Sequence, residues 1–161
     1  MLRFTVHGPA LASVYLPDEP STLELGARLA QALRPGLTVF LKGELGVGKT
    51  TLARGALREL GYTGKVKSPT FTLVEVYRVS SLYLHHFDFY RFKDPQEWED
   101  AGFREMFGSD GVCLVEWPEK AGALLPPADL ELTITHEETG RRAQLVAHSP
   151  AGIECLQQLI A

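Results

Sequence analysis

One segment of the sequence combines residue types and spacing that suit the binding of phosphate groups. It runs from Gly43 to Thr50 and matches the pattern Gly-x-x-x-x-Gly-Lys-[Ser/Thr] in full. Glycines let backbone N–H groups approach phosphate oxygens, and the positive end of a following helix favours the same anions. Lys49 would reach the β- and γ-phosphates, and the Thr50 hydroxyl would bind Mg²⁺. The residues expected around the phosphates are Glu44, Leu45, Gly46, Val47, Gly48, Lys49, Thr50 and Thr51.

Two carboxylates stand where they could assist that chemistry. Glu116 follows the apolar run 112–115, and Asp88 follows the β-prone run 82–87. Open α/β sheets form their ligand crevice at strand ends, and nucleotide hydrolases place an acidic residue there beside the phosphate loop. Asp is the more usual residue type in this role, but both side chains fit it from the sequence alone.

The flanking elements are those that a phosphate loop requires. Residues 37–41 form an apolar run typical of a strand buried on both faces, and residues 50–60 have helical apolar spacing that ends at Gly61. Together with the remaining elements they predict an α/β, three-layer P-loop NTPase-like fold, with a mixed parallel and antiparallel central sheet flanked by helices. We expect one domain over residues 1–161, with 1–16 as a possible N-terminal extension.

Other elements follow from turn and capping patterns. Ser21 and Glu24 form a capping-box pattern at the start of a helix, and residues 7–20, with three prolines, read as a loop. A helix is predicted over 95–107. Hairpins are predicted for 71–79 with 82–88 around Ser80-Ser81 and for 130–135 with 143–147, and a closing helix for 153–160.

The composition is that of a folded domain. The chain has 161 residues, 45% hydrophobic and 22% charged, and a net charge of −4, which disfavours broad binding to a nucleic-acid backbone. Cys113 and Cys155 have no metal-ligand spacing and read as buried structural residues. With no signal-peptide pattern and no apolar run of membrane-spanning length, we expect a cytoplasmic protein with no membrane partner.

Motifs that the sequence lacks narrow the choice of nucleotide that the chain could bind. The sequence contains no asparagine, so it has no Asn-Lys-x-Asp guanine-reading motif. In addition, Asp88 is followed by Phe89-Tyr90-Arg91 and not by the x-x-Gly of a GTPase switch. A GTPase is therefore disfavoured. Two alternatives to an ATPase stay open: a P-loop kinase of a small metabolite, with phosphate contacts from arginines such as Arg141 and Arg142, and a nucleotide-gated assembly module without significant hydrolysis.

Four segments in this order resemble the TsaE (YjeE) family of bacterial ATPases. They are Gly-Glu-Leu-Gly-Val-Gly-Lys-Thr-Thr at 43–51, Val-Lys-Ser-Pro-Thr-Phe-Thr-Leu-Val-Glu at 66–75, His-Phe-Asp-Phe-Tyr-Arg at 86–91 and Leu-Val-Glu-Trp-Pro at 114–118. Many ATPases share the first segment, whereas the other three are close to diagnostic. The chain departs from the family at Phe71, where Tyr is common, and in the greater length of its first 16 residues.

The resemblance implies a function as well as a fold. Members of the family hydrolyse ATP with Mg²⁺ and act with the TsaB and TsaD proteins in forming threonylcarbamoyladenosine in tRNA, with tRNA reached through the complex. Thr50 and Glu116 match the magnesium ligands, and Asp88 matches the acid needed for hydrolysis. Residues 68–70 match a switch-like segment near the γ-phosphate. Thr22 and Trp117 fall at positions near the nucleotide.

These matches imply separate roles for the expected catalytic residues. Lys49, Asp88 and Glu116 are the expected catalytic residues, with Asp88 positioning the attacking water and Glu116 holding Mg²⁺. Weak activity alone is expected, because the sequence places no arginine finger. For His86, in the third matching segment, a structural and a catalytic role stay equally open. Trp98 reads as a helix anchor, and Lys65 and Lys67 read as a solvated face.

Overall fold

The computed structural model describes residues 1–108 and 110–161. Its eight strands and four α-helices follow one another along the chain, with short 3₁₀ helices at 103–106, 118–120 and 122–124. In chain order the elements are β1 (Phe4–Val6), β2 (Leu11–Leu16), α1 (Glu19–Ala32), β3 (Thr38–Lys42), α2 (Lys49–Glu59), β4 (Val74–Val79), β5 (Leu82–Asp88), α3 (Gln96–Asp100), β6 (Gly111–Glu116), β7 (Leu130–Glu137), β8 (Gly140–Ala147) and α4 (Pro150–Ile160).

All eight strands belong to one mixed sheet in the order β1-β2-β8-β7-β3-β6-β5-β4. The central strands β7, β3, β6 and β5 pair in parallel, while the strands on both sides of them pair antiparallel. Parallel pairing brings the carboxyl ends of β3, β5 and β6 to one edge of the sheet. The predicted α/β fold with a mixed central sheet flanked by helices is confirmed.

The two faces of the sheet are covered differently. Helices α1, α2 and α4 lie on one face and share a core with strand residues such as Leu41, Leu84 and Leu114. Glycines let α1 and α2 pack closely, because a Cβ on Gly26 would meet the backbone of Leu52. The other face carries an aromatic cluster over β5 and β6, built on Phe87, Phe89, Phe92, Trp98 and Phe103.

The N-terminal segment is a part of this sheet. Residues 1–16, predicted as a possible extension, contribute β1 and β2, and β2 pairs with β8. The loop predicted over 7–20 is therefore wrong for residues 11–16, whose alternate residues Ala12, Val14 and Leu16 are buried. All three prolines of the segment lie outside the strand, at 9, 17 and 20. The strand therefore keeps its backbone donors.

The capping box predicted at Ser21 and Glu24 is also wrong. The helix cap is Asp18, whose carboxylate accepts from the Ser21 N–H at 3.0 Å, while Ser21 Oγ accepts from the Asp18 N–H at 3.2 Å. Pro20 is compatible with this earlier start because the first helical turn needs no backbone donor. The Glu24 carboxylate accepts instead from the Leu2 N–H at 3.2 Å.

Two further predictions differ in outcome. The helix predicted over 95–107 is interrupted: α3 ends at Asp100, and Gly102, at φ 72°, separates it from the 3₁₀ helix at 103–106. Both hairpins are confirmed. The first turns without glycine because Ser80 and Ser81 take φ values of 49° and 64°, the left-handed pair that a tight hairpin needs.

Among residues 1–108 and 110–161, no helix reaches the length and apolar character needed to cross a bilayer.

Candidate active site

The phosphate loop connects β3 to α2 at the carboxyl edge of the parallel strands. Gly43, Gly46 and Gly48 have φ values of 144°, 76° and 116°, a region that side chains disfavour. A Cβ on Gly43 would lie 2.5 Å from the Ile134 carbonyl oxygen, so only glycine lets the loop leave β3 against β7. The result is a concave backbone loop that ends at the first turn of α2.

Lys49 is folded back over this loop. Its side chain is nearly buried, and Nζ donates to the carbonyl oxygen of Gly43 and, at 3.3 Å, to that of Glu44. The ring of Trp117 covers the same ammonium group, with 4.0 Å from Nζ to the ring centroid. Trp117 takes a left-handed conformation, φ 57°, directly after β6. The lysine is thus held between the loop carbonyls and an aromatic face.

Glu116 and Thr50 meet at the base of the loop. Thr50, in the first turn of α2, donates its hydroxyl to Glu116 Oε2 at 3.1 Å. The same oxygen lies 2.6 Å from Nε2 of His86, which is fully buried. The other carboxylate oxygen, Oε1, makes no hydrogen bond within the described part of the chain. A serine or threonine hydroxyl beside a carboxylate is a donor set suited to Mg²⁺, which prefers hard oxygen ligands.

Asp88 lies next to Glu116, because the two residues are register partners at the ends of β5 and β6. Its Oδ2 accepts from the Thr70 hydroxyl at 3.1 Å, and its Oδ1 accepts from the Tyr90 N–H at 2.9 Å. Thr70 in turn hydrogen-bonds to Ser68 at 2.8 Å. On either side of Asp88, Phe87 and Phe89 are fully buried in the aromatic cluster. The carboxylate is therefore fixed by packing on one side and by residues 68–70 on the other.

Burial dominates the electrostatics of these groups. It lowers the pKa of Lys49, against the opposing effects of the Glu116, Asp88 and Glu119 charges. Burial also raises the pKa of Asp88, and the neighbouring Glu116 charge acts in the same direction. The hydrogen bonds from Tyr90 and Thr70, together with His86, lower it. Burial therefore disfavours the charged form of both groups, and a bound cation or phosphate would change this balance.

These side chains line one cavity, which we call the reaction cavity, of about 270 Å³. Its lining brings together most of the predicted site residues with the switch-like segment: Leu45, Gly46, Gly48, Lys49, Thr50, Thr51, Ser68, Thr70, Asp88, Glu116 and Trp117. Glu44 contributes its carbonyl oxygen to Lys49 and has an exposed side chain. Val47 turns its side chain into the core.

A second cavity, which we call the flanking cavity, lies on the other side of the phosphate loop. It measures about 290 Å³ and shares Gly46, Gly48 and Thr51 with the reaction cavity. Its other walls come from residues 16–19 with Thr22, from Val47 and from residues 139–141, where the β7–β8 turn leads into β8. Arg141 anchors that turn, because its Nε donates to the Val47 carbonyl oxygen at 3.1 Å. Thr22 therefore lies in this cavity, away from Trp117.

Among the residues that line the flanking cavity and not the reaction cavity, the sequence analysis predicted Thr22 and Val47 near the nucleotide and named Arg141 only as a phosphate contact in the kinase alternative. Pro17 follows β2, Thr139 lies in the β7–β8 turn and Arg141 lies in β8. The β2–β8 pairing brings them together, with Leu16 opposite Arg141. No local motif marks them. Recognising the alternation of Ala12, Val14 and Leu16 as a strand would have been the available signal.

Comparison with known proteins places the chain in a family. Residues 16–144 match the family model described as "Threonylcarbamoyl adenosine biosynthesis protein TsaE". The chain is 43% identical over 143 residues to the tRNA threonylcarbamoyladenosine biosynthesis protein TsaE of Haemophilus influenzae, which covers 86% of this chain and 90% of the relative. It is 42% identical over 119 residues to the Bacillus subtilis protein of the same name, covering 73% and 72%.

A solved structure agrees in fold. The crystal structure of Bacillus subtilis YdiB matches 99% of this chain and 95% of that chain, with a TM-score of 0.79 and 28% identity. The family match covers well over half of the sequence and includes the phosphate loop, Asp88 and Glu116. By sequence and by fold, this chain belongs to the TsaE family.

Proposed function

We propose that this chain is a Mg²⁺-dependent ATPase that acts with TsaB and TsaD proteins in the formation of threonylcarbamoyladenosine in tRNA. The observation that carries the proposal is the convergence of the phosphate loop with two strand-end carboxylates. Thr50 contacts Glu116 at 3.1 Å, and Asp88 is the register neighbour of Glu116 in the same cavity. Family membership supplies the biological process.

The loop fits the phosphates of a nucleotide. Gly46 and Gly48 have positive φ values and no Cβ, which lets backbone N–H groups of the loop approach a phosphate, and the N-terminus of α2 lies beside it. Lys49 Nζ donates here to carbonyl oxygens, which are weaker acceptors than charged phosphate oxygens. We expect the ammonium group to exchange these partners for the β- and γ-phosphates, while the Trp117 ring limits its movement.

The donor set also fits Mg²⁺. One hydroxyl and one carboxylate, completed by phosphate oxygens and water, form the usual protein share of such a site. Thr50 and Glu116 would hold the ion, which neutralises charge on the transferring phosphoryl group when bound. The Thr50 hydroxyl can ligate through its oxygen while its hydrogen still points to Glu116 Oε2.

Asp88 is the group proposed to orient the attacking water. Its carboxylate faces the reaction cavity beyond Thr50 and Glu116, and two hydrogen bonds fix its orientation. Orientation of a water molecule by a positioned carboxylate is how such groups contribute to hydrolysis. Thr70 links this carboxylate to the exposed Ser68, so a partner that moves residues 68–70 would alter the geometry of Asp88.

The flanking cavity is the proposed site of the nucleoside. It adjoins the phosphate loop on the side away from Asp88, and its 290 Å³ falls near the lower end of the range for small-molecule sites. Thr22 and Arg141 offer polar contacts there. A nucleotide would then lie across the loop, with its triphosphate end towards Glu116.

Partner dependence is proposed on two grounds. No arginine lines the reaction cavity in the described part of the chain, although an arginine often completes the charge stabilisation of phosphoryl transfer. In addition, residues 68–70, which contact Asp88 through Thr70, include the exposed Ser68 and are flanked by the exposed Lys67 and Phe71, so another protein can reach them. We propose that TsaB and TsaD supply or order the missing groups, that tRNA is reached through them, and that residues 1–161 act as one cytoplasmic domain.

The test is ATP hydrolysis by the purified chain, alone and with purified TsaB and TsaD. We expect weak turnover alone, an increase with both partners, and loss in Asp88→Ala, which also excludes a contaminating ATPase. Turnover that is full without partners would contradict partner dependence. ADP release that requires a small acceptor would favour the kinase alternative, and assembly with ATP that survives in Asp88→Ala would favour the nucleotide-gated module.

A further inference from the structure

His86 is the only histidine that touches the reaction site in the described part of the chain, and it has no access to solvent or to the cavity. Its side chain is 0% exposed, and it is absent from the cavity lining. Nε2 lies 2.6 Å from Glu116 Oε2, the shortest contact made by that carboxylate. A residue so placed cannot contact a nucleotide or water. Its direct contact with the site is through Glu116.

The hydrogen-bond pattern fixes the direction of this contact. An ionised carboxylate oxygen only accepts, so Nε2 carries the hydrogen and His86 donates. Nδ1 is buried and has no partner among the described residues, which leaves the Glu116 contact as the one polar interaction of the ring. Glu116 Oε2 therefore accepts from both Thr50 and His86, and Oε1 is left without a hydrogen bond in the described part of the chain.

The pairing of β5 with β6 explains why His86 lies next to Glu116. His86 pairs with Leu114, and Asp88 pairs with Glu116, so residues 86, 88, 114 and 116 share one face. β5 therefore supplies two groups on that face: a buried donor to Glu116 and a carboxylate that lines the cavity. The short distance between strand neighbours lets the imidazole reach a side chain two residues further along β6.

We infer that His86 is a positioning residue, which orients Glu116 by donating from Nε2 so that Oε1 faces the magnesium site. The inference rests on the proposed function, because it assigns a role towards the cation that Thr50 and Glu116 would hold. Groups that hydrogen-bond to metal ligands in this way fix ligand orientation, and their removal typically weakens metal binding by about 10- to 100-fold.

The test compares two substitutions at His86. His86→Gln keeps an N–H donor at nearly the position of Nε2, whereas His86→Leu has a similar size and no donor. Calorimetry measures ADP affinity with excess EDTA and with Mg²⁺, and the ratio of the two affinities is the magnesium enhancement. We expect His86→Leu to reduce the enhancement about 10-fold, with ADP affinity in EDTA unchanged, and His86→Gln to restore most of it.

His85 provides the matched control. It is the adjacent histidine, but it pairs with Cys113 and its ring stacks against Phe87, on the opposite face of the sheet. His85→Leu should therefore leave the magnesium enhancement at the parent value. If His86→Leu does not fold, His86→Met makes the same comparison with a side chain that adapts to irregular gaps.

Several results would overturn the inference. One is a folded His86→Leu protein with the parent enhancement, and another is an equal loss in His86→Leu and His86→Gln. A third is a loss of ADP affinity that is the same in EDTA and in Mg²⁺, because that pattern indicates a purely structural role. A parent protein that binds ADP without any magnesium enhancement would instead refute the proposed function, and the inference with it.

Discussion

The two cavities beside the phosphate loop differ in how they are built. The reaction cavity contains three nearly buried ionisable residues, Lys49, Asp88 and Glu116, each 3–4% exposed and each held by hydrogen bonds. The flanking cavity is lined by the exposed residues 17–19, by the buried Leu16 and Thr22, and by residues 139–141, where Arg141 contacts the phosphate loop. Both cavities are built from strand ends and the start of a helix, but the ionisable residues of the first are nearly buried, whereas Asp18 and Glu19 of the second are exposed.

The difference suggests separate roles for the two sides of one loop. Buried charges fixed by strands stabilise charge that develops during a reaction, because they need no rearrangement at that moment. The flanking cavity offers contacts that can hold a ligand without taking part in the chemistry. We therefore expect substitutions in the reaction cavity to affect turnover and substitutions in the flanking cavity to affect affinity.

The largest expected effect is that of Lys49→Ala. Removing the buried ammonium group takes away both the phosphate contact and the charge stabilisation, so turnover with both partners should fall by about 100-fold or more. Turnover is measured as phosphate release at saturating ATP. Lys120→Ala is the control, because Lys120 is exposed and lies outside both cavities. Unchanged turnover in Lys49→Ala would show that the reaction cavity does not have the role in turnover that we assign to it.

Arg141→Ala should produce the opposite pattern. Loss of the contact to Val47 loosens the flanking cavity, so we expect ATP affinity to fall about 10-fold, with turnover at saturation unchanged. Binding of inorganic tripolyphosphate, which has no nucleoside, should not change. Arg142→Ala is the matched control, because that guanidinium pairs with Glu137. A fall in saturated turnover with ATP affinity intact would reverse the assigned roles.

A smaller effect is expected for Thr70→Val, which removes the hydroxyl that donates to Asp88 without changing the side chain's shape. Turnover should fall by only about 3- to 10-fold, since the Tyr90 N–H still holds the carboxylate. Thr72→Val serves as the control, because the Thr72 hydroxyl contacts Glu75 on the surface. Equal turnover in the two variants would mean that residues 68–70 do not orient Asp88.

The same contrast explains what the sequence predicts and what it does not. The phosphate loop, the strand-end carboxylates and the buried strands are local signals, and the parallel pairing of β5 and β6 then places Asp88 beside Glu116. The flanking cavity depends on the pairing of β2 with β8, which no local pattern specifies. Asp18 as the helix cap was missed because Ser21 and Glu24 offered a competing box, although Pro20 permits the earlier start.

His86 shows most clearly what could not be predicted from the sequence. Its position in a recognisable segment leaves a structural and a catalytic role equally open, since a sequence does not state what a buried side chain touches. The 2.6 Å contact with Glu116 indicates a third role, in which the buried histidine orients the Glu116 carboxylate.

The central claim is that Asp88 serves the chemical step and not the binding of nucleotide. Asp88→Asn keeps the shape and the contacts with Tyr90 and Thr70 but removes the charge that orients water, and Asp100→Asn, at an exposed position of α3, is the control. Single-turnover hydrolysis and ATP affinity are measured on both variants with both partners present. The account predicts that Asp88→Asn slows hydrolysis by about 100-fold or more, while ATP affinity stays within about threefold of the parent. Hydrolysis at the parent rate would contradict it, and so would a loss of activity explained entirely by a loss of ATP affinity.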